Sequence, residues 1–501
     1  MKTLAEVMEG IAYRAAYSAE VYPEGIGGVE VSGICLDSRE AAPGALFCCF
    51  AGQKTDGHTF AASAYGRGAR VFLCEHDLAE AGQLPEGAAD AICLVVGETR
   101  FAMAQASANF WGNPQRELKI LGITGTKGKT TIAYMVEAIL RAAGHTTGIM
   151  GTLGAAVRRG NGPDLDMAVR EIDHTTPEAP QTFEMLRWFA DSGCEYVVME
   201  VSSHALWQHR VLGIHFISAG MTVMGVDHLG IGGHPSYEHY MQSKELLFTR
   251  CDTAVLNAED WAYPQFAAAC TAPNVMTYSL EEASNIVRSA HPLKIAFDAL
   301  GTHFEMSLPG DVSVRNALCA TKMCMAPGVD VAPEVAAKGL ADVVIPGRFE
   351  VIPTAREDVM FVVDYAHNRV SVEAAVDALR AMGPARVVCL FGSIGDRMQV
   401  RRRELAEASK KADFVVLTSD DPGFEDPESI ADEIEGYLGD MPHVKIVSRW
   451  DAVAWVAEHA QPGDMVLLAG KGHEHYMNIK GEHVPFCERD ILQRVCGLPK
   501  D

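Results

Sequence analysis

Gly122–Thr130 reads GITGTKGKT, and its interpretation decides the fold. It ends like a phosphate-binding loop but lacks the spacing of the common G-x-x-x-x-G-K-[ST] pattern. Counting back five residues from Gly128 reaches Ile123; Gly122 comes one residue too early and Gly125 two too late. Context carries the assignment instead. An apolar strand run, LKILGI, precedes the loop, and a helical stretch, TTIAYMVEAIL, begins at its end. That junction sets Gly125, Gly128 and successive backbone N–H groups at a helix N-terminus, where orphan donors and the helix dipole favour phosphate. Lys129 can then reach the β- and γ-phosphates, and the Thr130 hydroxyl can take Mg2+.

Working outward, the runs TTGIM, EYVVMEVSS, FISAGMTVM and TAVLNAED follow the loop, separated by helical stretches. Strands alternating with helices predict a parallel, doubly wound sheet. After IPGRFE the alternation restarts with VMFVVDYA, RVVCLFGS, DFVVLTSDD and DMVLLAGKG. These near-continuous apolar runs read as central parallel strands with functional loops at their C-terminal ends. Ahead of the loop, VSGICLDSRE and GALFCCFAG are strand candidates, FAMAQASANFW a helix and GNPQRE a linker. The expected fold class is α/β in three domains. Residues 1–115 form a small mixed α/β domain, 116–343 a P-loop ATPase-like parallel-sheet domain and 344–501 a Rossmann-like domain, with ligands in the clefts between them.

A length of 501 residues fits roughly three domains. No run of about 18 apolar residues predicts a membrane span, and the start, MKTLAEVMEG, has no basic-then-apolar leader pattern. A soluble, cytoplasmic protein is expected, without a membrane partner. The formal net charge of −24 argues against nucleic acid as a partner, though a local basic pocket can still take an anionic small molecule. The thirteen cysteines include no C-x-x-C pair and read as buried free thiols.

Glu200 closes the run VVMEVSSH, where a carboxylate suits a hard cation, or is simply a strand-end acid. Asp227-His228 follow AGMTVM, and Lys244 falls on a probable helix; taken alone, they read as a structural histidine and a solvated lysine. His473 and His475 of GKGHEHY read as loop residues, not as a metal site. These features give a three-domain enzyme dependent on ATP and Mg2+, with the reaction open.

An ordered set of segments then resembles the Mur ligases, and among them the MurE type that extends UDP-N-acetylmuramoyl-dipeptide in peptidoglycan synthesis. The set is LDSR, GQKTDGH, TGTKGKTT, HTTPE, MEVSSHALWQHRV, DHL with SKELLF, IPGRFE, VDYAHN, GDR, DDPGFEDP and GKGHE. The resemblance spans nearly the whole chain and includes the shortened T-G-T-x-G-K-[ST] loop. It implies transfer of the ATP γ-phosphate to a substrate carboxylate, giving an acyl phosphate that an amine then attacks. ATP and Mg2+ are the implied cofactors, and a monomer is expected.

The resemblance also implies roles. Gly125, Thr126, Lys127, Gly128, Lys129, Thr130 and Thr131 would hold ATP, with Asn316 at the base and Arg348, Asp364, His367 and Asn368 contributed by the C-terminal domain. Lys129, Glu200, His228 and Lys244 would be catalytic. Thr130, Glu200, His228 and Lys244 would hold metal, Lys244 as N6-carboxylysine, whose carbamate inverts the charge at that position. Ser38, Gln53, Lys54 and Thr55 would touch the uridine diphosphate. Thr175, Thr176, Ser202, Gln208 and Arg210 would grip the muramoyl-dipeptide. Arg402, Asp420, Asp421, Gly470 and Glu474 would receive the amino acid, Arg402 at its α-carboxylate.

Two departures matter. The family's T-N-x-x-R-D-H is here Thr222-Val223-Met224-Gly225-Val226-Asp227-His228, followed by a longer LGIGGHPSY. The D-N-P-R of diaminopimelate-adding members is here DDPG, so the arginine that clamps a distal carboxylate is Gly423 and the asparagine is Asp421. Loss of that clamp predicts L-lysine as the incoming amine, with L-ornithine or meso-diaminopimelate as alternatives. Rival readings are a folylpolyglutamate synthetase-like ligase, opposed by LDSR and MEVSSHALWQHRV, and a non-catalytic nucleotide-binding paralogue, opposed by the complete metal and phosphate set.

Overall fold

The computed structural model describes residues 1–52, 55–160, 165–225, 230, 233–290, 293–396 and 400–499. The chain divides into two compact units: Met1–Glu282 with Arg315–Gly339, and Ala283–Val314 with Leu340–Asp501.

The first unit opens with a five-stranded sheet of β1 (Arg14–Ala16), β2 (Gly33–Cys35), β3 (Ala45–Cys48), β4 (Val71–Cys74) and β5 (Ile92–Val95), in the order β1-β5-β4-β3-β2. Only β1 runs antiparallel to its neighbour. Phe47, Leu73 and Leu94 bury its core.

The larger sheet of this unit holds the phosphate loop. Its strands are β6 (Lys119–Thr124), β7 (Thr147–Gly151), β8 (Gly154–Arg159), β9 (Asp166–Arg170), β10 (Tyr196–Glu200), β11 (Phe216–Met221), β12 (Cys251–Asn257) and β13 (Asn274–Tyr278), in the order β9-β8-β7-β10-β6-β11-β12-β13. Strand β6 lies centrally, parallel to β10 and β11, and all its residues but Lys119 are buried. Gly122 faces Phe216, and a Cβ there would sit 2.7 Å from the ring. The glycine that spoils the common loop pattern is therefore a packing residue of the strand.

Helix α1 (Lys129–Ala142) starts directly at Gly128, whose φ of +88° suits glycine. Its apolar face, Ile132, Met135, Val136 and Ile139, packs into the core. Glu137 on the same helix is buried but satisfied by Arg141, Arg158 and Thr147.

From β7 to β13 in that order this sheet is parallel, as the alternation predicts, but one edge is not. Strands β7, β8 and β9 pair antiparallel at one edge. The reason is local: only Thr152 and Leu153 separate β7 from β8, and so short a link can join only antiparallel strands.

The second unit begins with a three-stranded antiparallel sheet, β14 (Ser284–Ala290), β15 (Leu293–Ala299) and β16 (Thr302–Met306). Its main sheet comprises β17 (Glu350–Ile352), β18 (Met360–Asp364), β19 (Arg386–Phe391), β20 (Phe414–Leu417), β21 (His443–Lys445) and β22 (Asp464–Ala469), in the order β17-β18-β22-β19-β20-β21. All but β17 run parallel. Buried Val362, Leu390, Val416 and Leu467 form the core of its strands, with helices on both faces. A hairpin of β23 (Tyr476–Ile479) and β24 (Glu482–Pro485) follows.

All thirteen cysteines are free thiols. Among the described residues no helix is long and apolar enough to cross a membrane.

Candidate active site

The phosphate loop is fixed by backbone conformation and by the segment after β11. Gly125 has φ +146°, and a Cβ there would lie 1.8 Å from Thr222 Oγ1. Thr222 N–H donates to the Thr124 carbonyl (2.9 Å), Thr222 Oγ1 donates to the Lys127 carbonyl, and Thr126 N–H donates to the Val223 carbonyl (2.9 Å). Thr222 and Val223 thus stitch the loop with two main-chain bonds and one hydroxyl bond.

Lys129 Nζ donates to the carbonyls of Gly125 (3.0 Å) and Thr126 (3.5 Å). Asn316, on α3 (Asp311–Met325), comes alongside: its Oδ1 is 3.3 Å from where a Cβ on Gly128 would be. Lys127 and Thr131 are partly exposed at the same turn.

Glu200, the last residue of β10, is 2% exposed. It accepts from Thr130 Oγ1 (3.0 Å), Thr152 N–H (2.9 Å) and Thr152 Oγ1 (3.2 Å). Gly151 lets it sit there, since a Cβ would be 2.2 Å from Glu200 Oε1. One neutral hydroxyl and one carboxylate oxygen set fit a hard divalent cation.

Lys244, on α2 (Tyr237–Glu245), is also 2% exposed. Its ammonium donates to the Gly125 carbonyl (2.8 Å) and lies 4.8 Å from the centre of the Tyr240 ring. Tyr240, one turn earlier, pairs its hydroxyl with Thr126 Oγ1 at 2.8 Å. Tyr240 was missed in the sequence, although its i, i+4 spacing from Lys244 puts both on one helix face. His228 lies outside the described residues.

The residues assigned to the dipeptide gather beside Glu200. Thr176 Oγ1 donates to the Glu200 carbonyl (2.8 Å) and accepts from Ser202 N–H (3.0 Å). Thr175 Oγ1 is 3.1 Å from Thr152 Oγ1. Arg210 donates to the Thr176 carbonyl (2.9 Å) and to Gln208 Oε1, and pairs with Glu178 (3.0 Å). In the N-terminal sheet region, Ser38 is buried next to Asp37, whose carboxyl Arg39 holds down at about 2. Thr55 is exposed, and its carbonyl accepts from Gly52 N–H (2.9 Å). Gln53 and Lys54 lie outside the described residues.

In the second unit, loops at the C-terminal strand ends carry most of the remaining candidates, while Arg348 precedes β17 and Arg402 lies on the helix Val400–Ser409. Asp364 Oδ2 accepts from Phe349 N–H (2.7 Å), Arg348 lies over Tyr365 (4.7 Å to the ring centre), and Asn368 caps the helix Arg369–Arg380. His367 Nδ1 is 2.8 Å from the Tyr365 carbonyl. Asp420, Asp421 and Glu474 converge, but on a lysine of this chain. Lys471 is fully buried and its ammonium meets Asp421 at 2.8 Å, Glu474 at 2.5 Å and Asp420 at 3.9 Å. Burial raises the Glu474 carboxyl against the pull of Lys471, and burial beside Arg348 and other cations depresses His473 to about 4.

Gly423 has φ +60°, and a Cβ there would be 2.2 Å from Asp396 Oδ2, which accepts from Phe424 N–H. Its backbone pairs with the hairpin, accepting from Lys480 N–H (2.8 Å) and donating to Asn478 O (3.2 Å). Arg402 is buried with its two arms on Glu425 and Glu433. Sequence reasoning passed over Lys471, though a lysine in a loop closing a buried strand among acids is a readable signal.

Three family models match the chain in order: "Mur ligase family, catalytic domain" over residues 30–111, "Mur ligase middle domain" over 123–324 and "Mur ligase, glutamate ligase domain" over 347–472. The chain belongs to the Mur ligase family. This Mur ligase is 36% identical over 482 residues to the UDP-N-acetylmuramoyl-L-alanyl-D-glutamate–2,6-diaminopimelate ligase of Syntrophomonas wolfei, covering 92% of this chain and 94% of that one. It is 33% identical to the protein of the same name from Clostridium botulinum, over 93% and 95% of the two chains. Among solved structures, a UDP-N-acetylmuramoyl-L-alanyl-D-glutamate–2,6-diaminopimelate ligase superposes with a TM-score of 0.63 at 27% identity, covering 96% of this chain and 99% of that chain. This Mur ligase is a ligase with the three family domains in an α/β fold.

Proposed function

We propose that this Mur ligase joins a diamino acid to UDP-N-acetylmuramoyl-L-alanyl-D-glutamate, driven by ATP, and that the amine is 2,6-diaminopimelate. The convergence of Lys129, Thr130, Glu200 and Lys244 on one loop carries the ligase chemistry. The names of the relatives support the amine; they do not support the L-lysine expected from DDPG.

In this reading residues 1–115 take the uridine diphosphate end through Ser38 and the Gln53–Thr55 stretch, 116–343 take ATP and the dipeptide, and 344–501 take the amine. Lys129 turns from its loop carbonyls to the transferring phosphate, where a fixed cation lowers the barrier by matching the charge that develops. Thr130 and Glu200 would hold Mg2+, and Lys244, as N6-carboxylysine, would with His228 supply ligands to a second ion. The metal, when bound, offsets negative charge on the phosphate oxygens. The substrate carboxylate takes the γ-phosphoryl group, ADP leaves, the amine attacks the acyl carbon, and inorganic phosphate departs. Arg210 and the Thr175-Thr176 pair orient the dipeptide. Asn316 is assigned to the ATP base, and the family resemblance assigns Arg348, Asp364, His367 and Asn368 to ATP as well.

One observation keeps L-lysine as a second reading. Position 423 has neither the side chain nor the room for the clamping arginine, so no cation waits there for a distal carboxylate. Phosphate release from ATP with the dipeptide nucleotide, compared across meso-diaminopimelate, L-lysine and L-ornithine, decides. A clear preference for L-lysine overturns the diaminopimelate proposal, and no release with any of the three overturns the ligase reading.

A further inference from the structure

The proposed amino-acid subsite stands on two loops from strands that are not neighbours. Asp420-Asp421 follow β20 and Gly470-Lys471 follow β22, with β19 between them. The loops meet because Gly392 follows directly on the last residue of β19. A Cβ there would be 2.5 Å from the Ser419 carbonyl carbon, so the 418–420 backbone crosses directly over the strand end. Gly470 allows the last approach, as its Cβ would be 2.5 Å from Asp420 Oδ2.

One side chain holds this junction from below. Arg449, the first residue of α4 (Arg449–His459), is fully buried. Its Nη2 donates to the Ala469 carbonyl (2.7 Å) and its Nη1 to the Ser419 carbonyl (3.3 Å), each just before one of the two loops. Its Nε and Nη2 also donate to Glu488 Oε1 at 3.0 and 2.7 Å. Glu488, also buried, begins α5 (Glu488–Cys496). A planar guanidinium can span two carbonyls and a carboxylate at once; a lysine ammonium is a single point and cannot.

Charge points the same way. Asp420, Asp421, Glu474 and Glu488 crowd around two buried cations, Arg449 and Lys471, and Asp420 has Lys471 no nearer than 3.9 Å. Nothing in the sequence neighbourhood of Arg449, in SRWDA, resembles a substrate motif.

We infer that Arg449, seated on Glu488, is a positioning residue that fixes the spacing of the Asp420-Asp421 and Gly470–Glu474 loops and so sets affinity for the incoming amino acid. The inference rests on the proposed role of those loops. It assigns Arg449 no contact with substrate.

The full-length enzyme tests it. Wild type is first assayed for phosphate release with the dipeptide nucleotide and each diamino acid. Arg449→Lys is then assayed with the preferred one. The KM for the amino acid is expected to rise about tenfold or more, the scale of a lost charge-assisted contact, while KM for ATP and for the nucleotide changes less than about twofold. Glu488→Gln, which keeps the shape and the Oε1 acceptor, should show the same split more weakly and serves if Arg449→Lys does not fold. A merely structural role lowers the amount of active enzyme and leaves every KM alone. Unchanged KM values, or equal rises in all three, overturn the inference. An inactive wild type removes the ligase reading and the inference with it, an outcome distinct from an active wild type whose variants show no split.

Discussion

The phosphate loop after β6 and the acid-lined loops after β20 and β22 solve the same problem by different means. Both present polar groups at the C-terminal ends of parallel strands, where such sites form. The phosphate loop does so with main-chain geometry: positive φ at Gly125 and Gly128, carbonyls held by Lys129 and Lys244, and a stitch to Thr222 and Val223. The second region does so with buried ions, Lys471 and Arg449 against four carboxylates. Main-chain geometry tolerates little change in residue type at its glycines. An ion cluster can be re-balanced, and specificity is expected to reside there.

The largest effect that can break this contrast is at Lys129. Lys129→Ala should lower kcat/KM for phosphate release by about a thousandfold, with thermal stability nearly unchanged; a loss under tenfold would mean the loop is not the reacting site. Glu200→Gln comes next, with an expected drop of about a hundredfold and a raised Mg2+ requirement. Titrating the variant with Mg2+ reads this directly, and an unshifted midpoint removes Glu200 from the metal site.

In the second region, Gly423→Arg alone should destabilise, because φ is +60° and Asp396 fills the space. Paired with Asp396→Ala, it should move the ratio of diaminopimelate to lysine use upward by about tenfold. An unaltered ratio would show that this loop is not the selector.

The smallest effect concerns His473. Its proton affinity falls from the ordinary 6.5 to about 4 on folding, so between those values the unfolded chain binds more protons. The His473 share of stability should therefore decline as pH falls from about 6.5 towards 4 and stay constant above that window. His473→Asn should lessen the slope in denaturant titrations at stepped pH.

The sequence made the first region legible and the second only in part. Strand, loop and helix around GITGTKGKT follow from apolar periodicity, and Glu200 from its place at a strand end. The misplaced Gly122 needed Phe216, a residue 94 positions away, to be understood. The antiparallel edge at β7–β9 escaped because a two-residue link was read within an alternating pattern. In the second region, Asp420, Asp421 and Glu474 were visible as acids, but their partner Lys471 and the support from Arg449 and Glu488 depend on contacts across the fold. Arg402 shows the same limit: its availability is set by Glu425 and Glu433, which no local pattern announces.

The bridge between Gly423 and the hairpin at Asn478–Lys480 uses only main-chain atoms. Asp421 adds one side-chain bond to the same hairpin, accepting from Asn478 N–H at 2.8 Å, so the loop is moored by main chain at Gly423 and by a carboxylate at Asp421. Side chains at the positions without such a bond can be exchanged without moving the anchor, so a change of amine preference at this loop would leave the rest of the fold in place. The exception is a residue that must share space with Asp396, where two positions would have to move together.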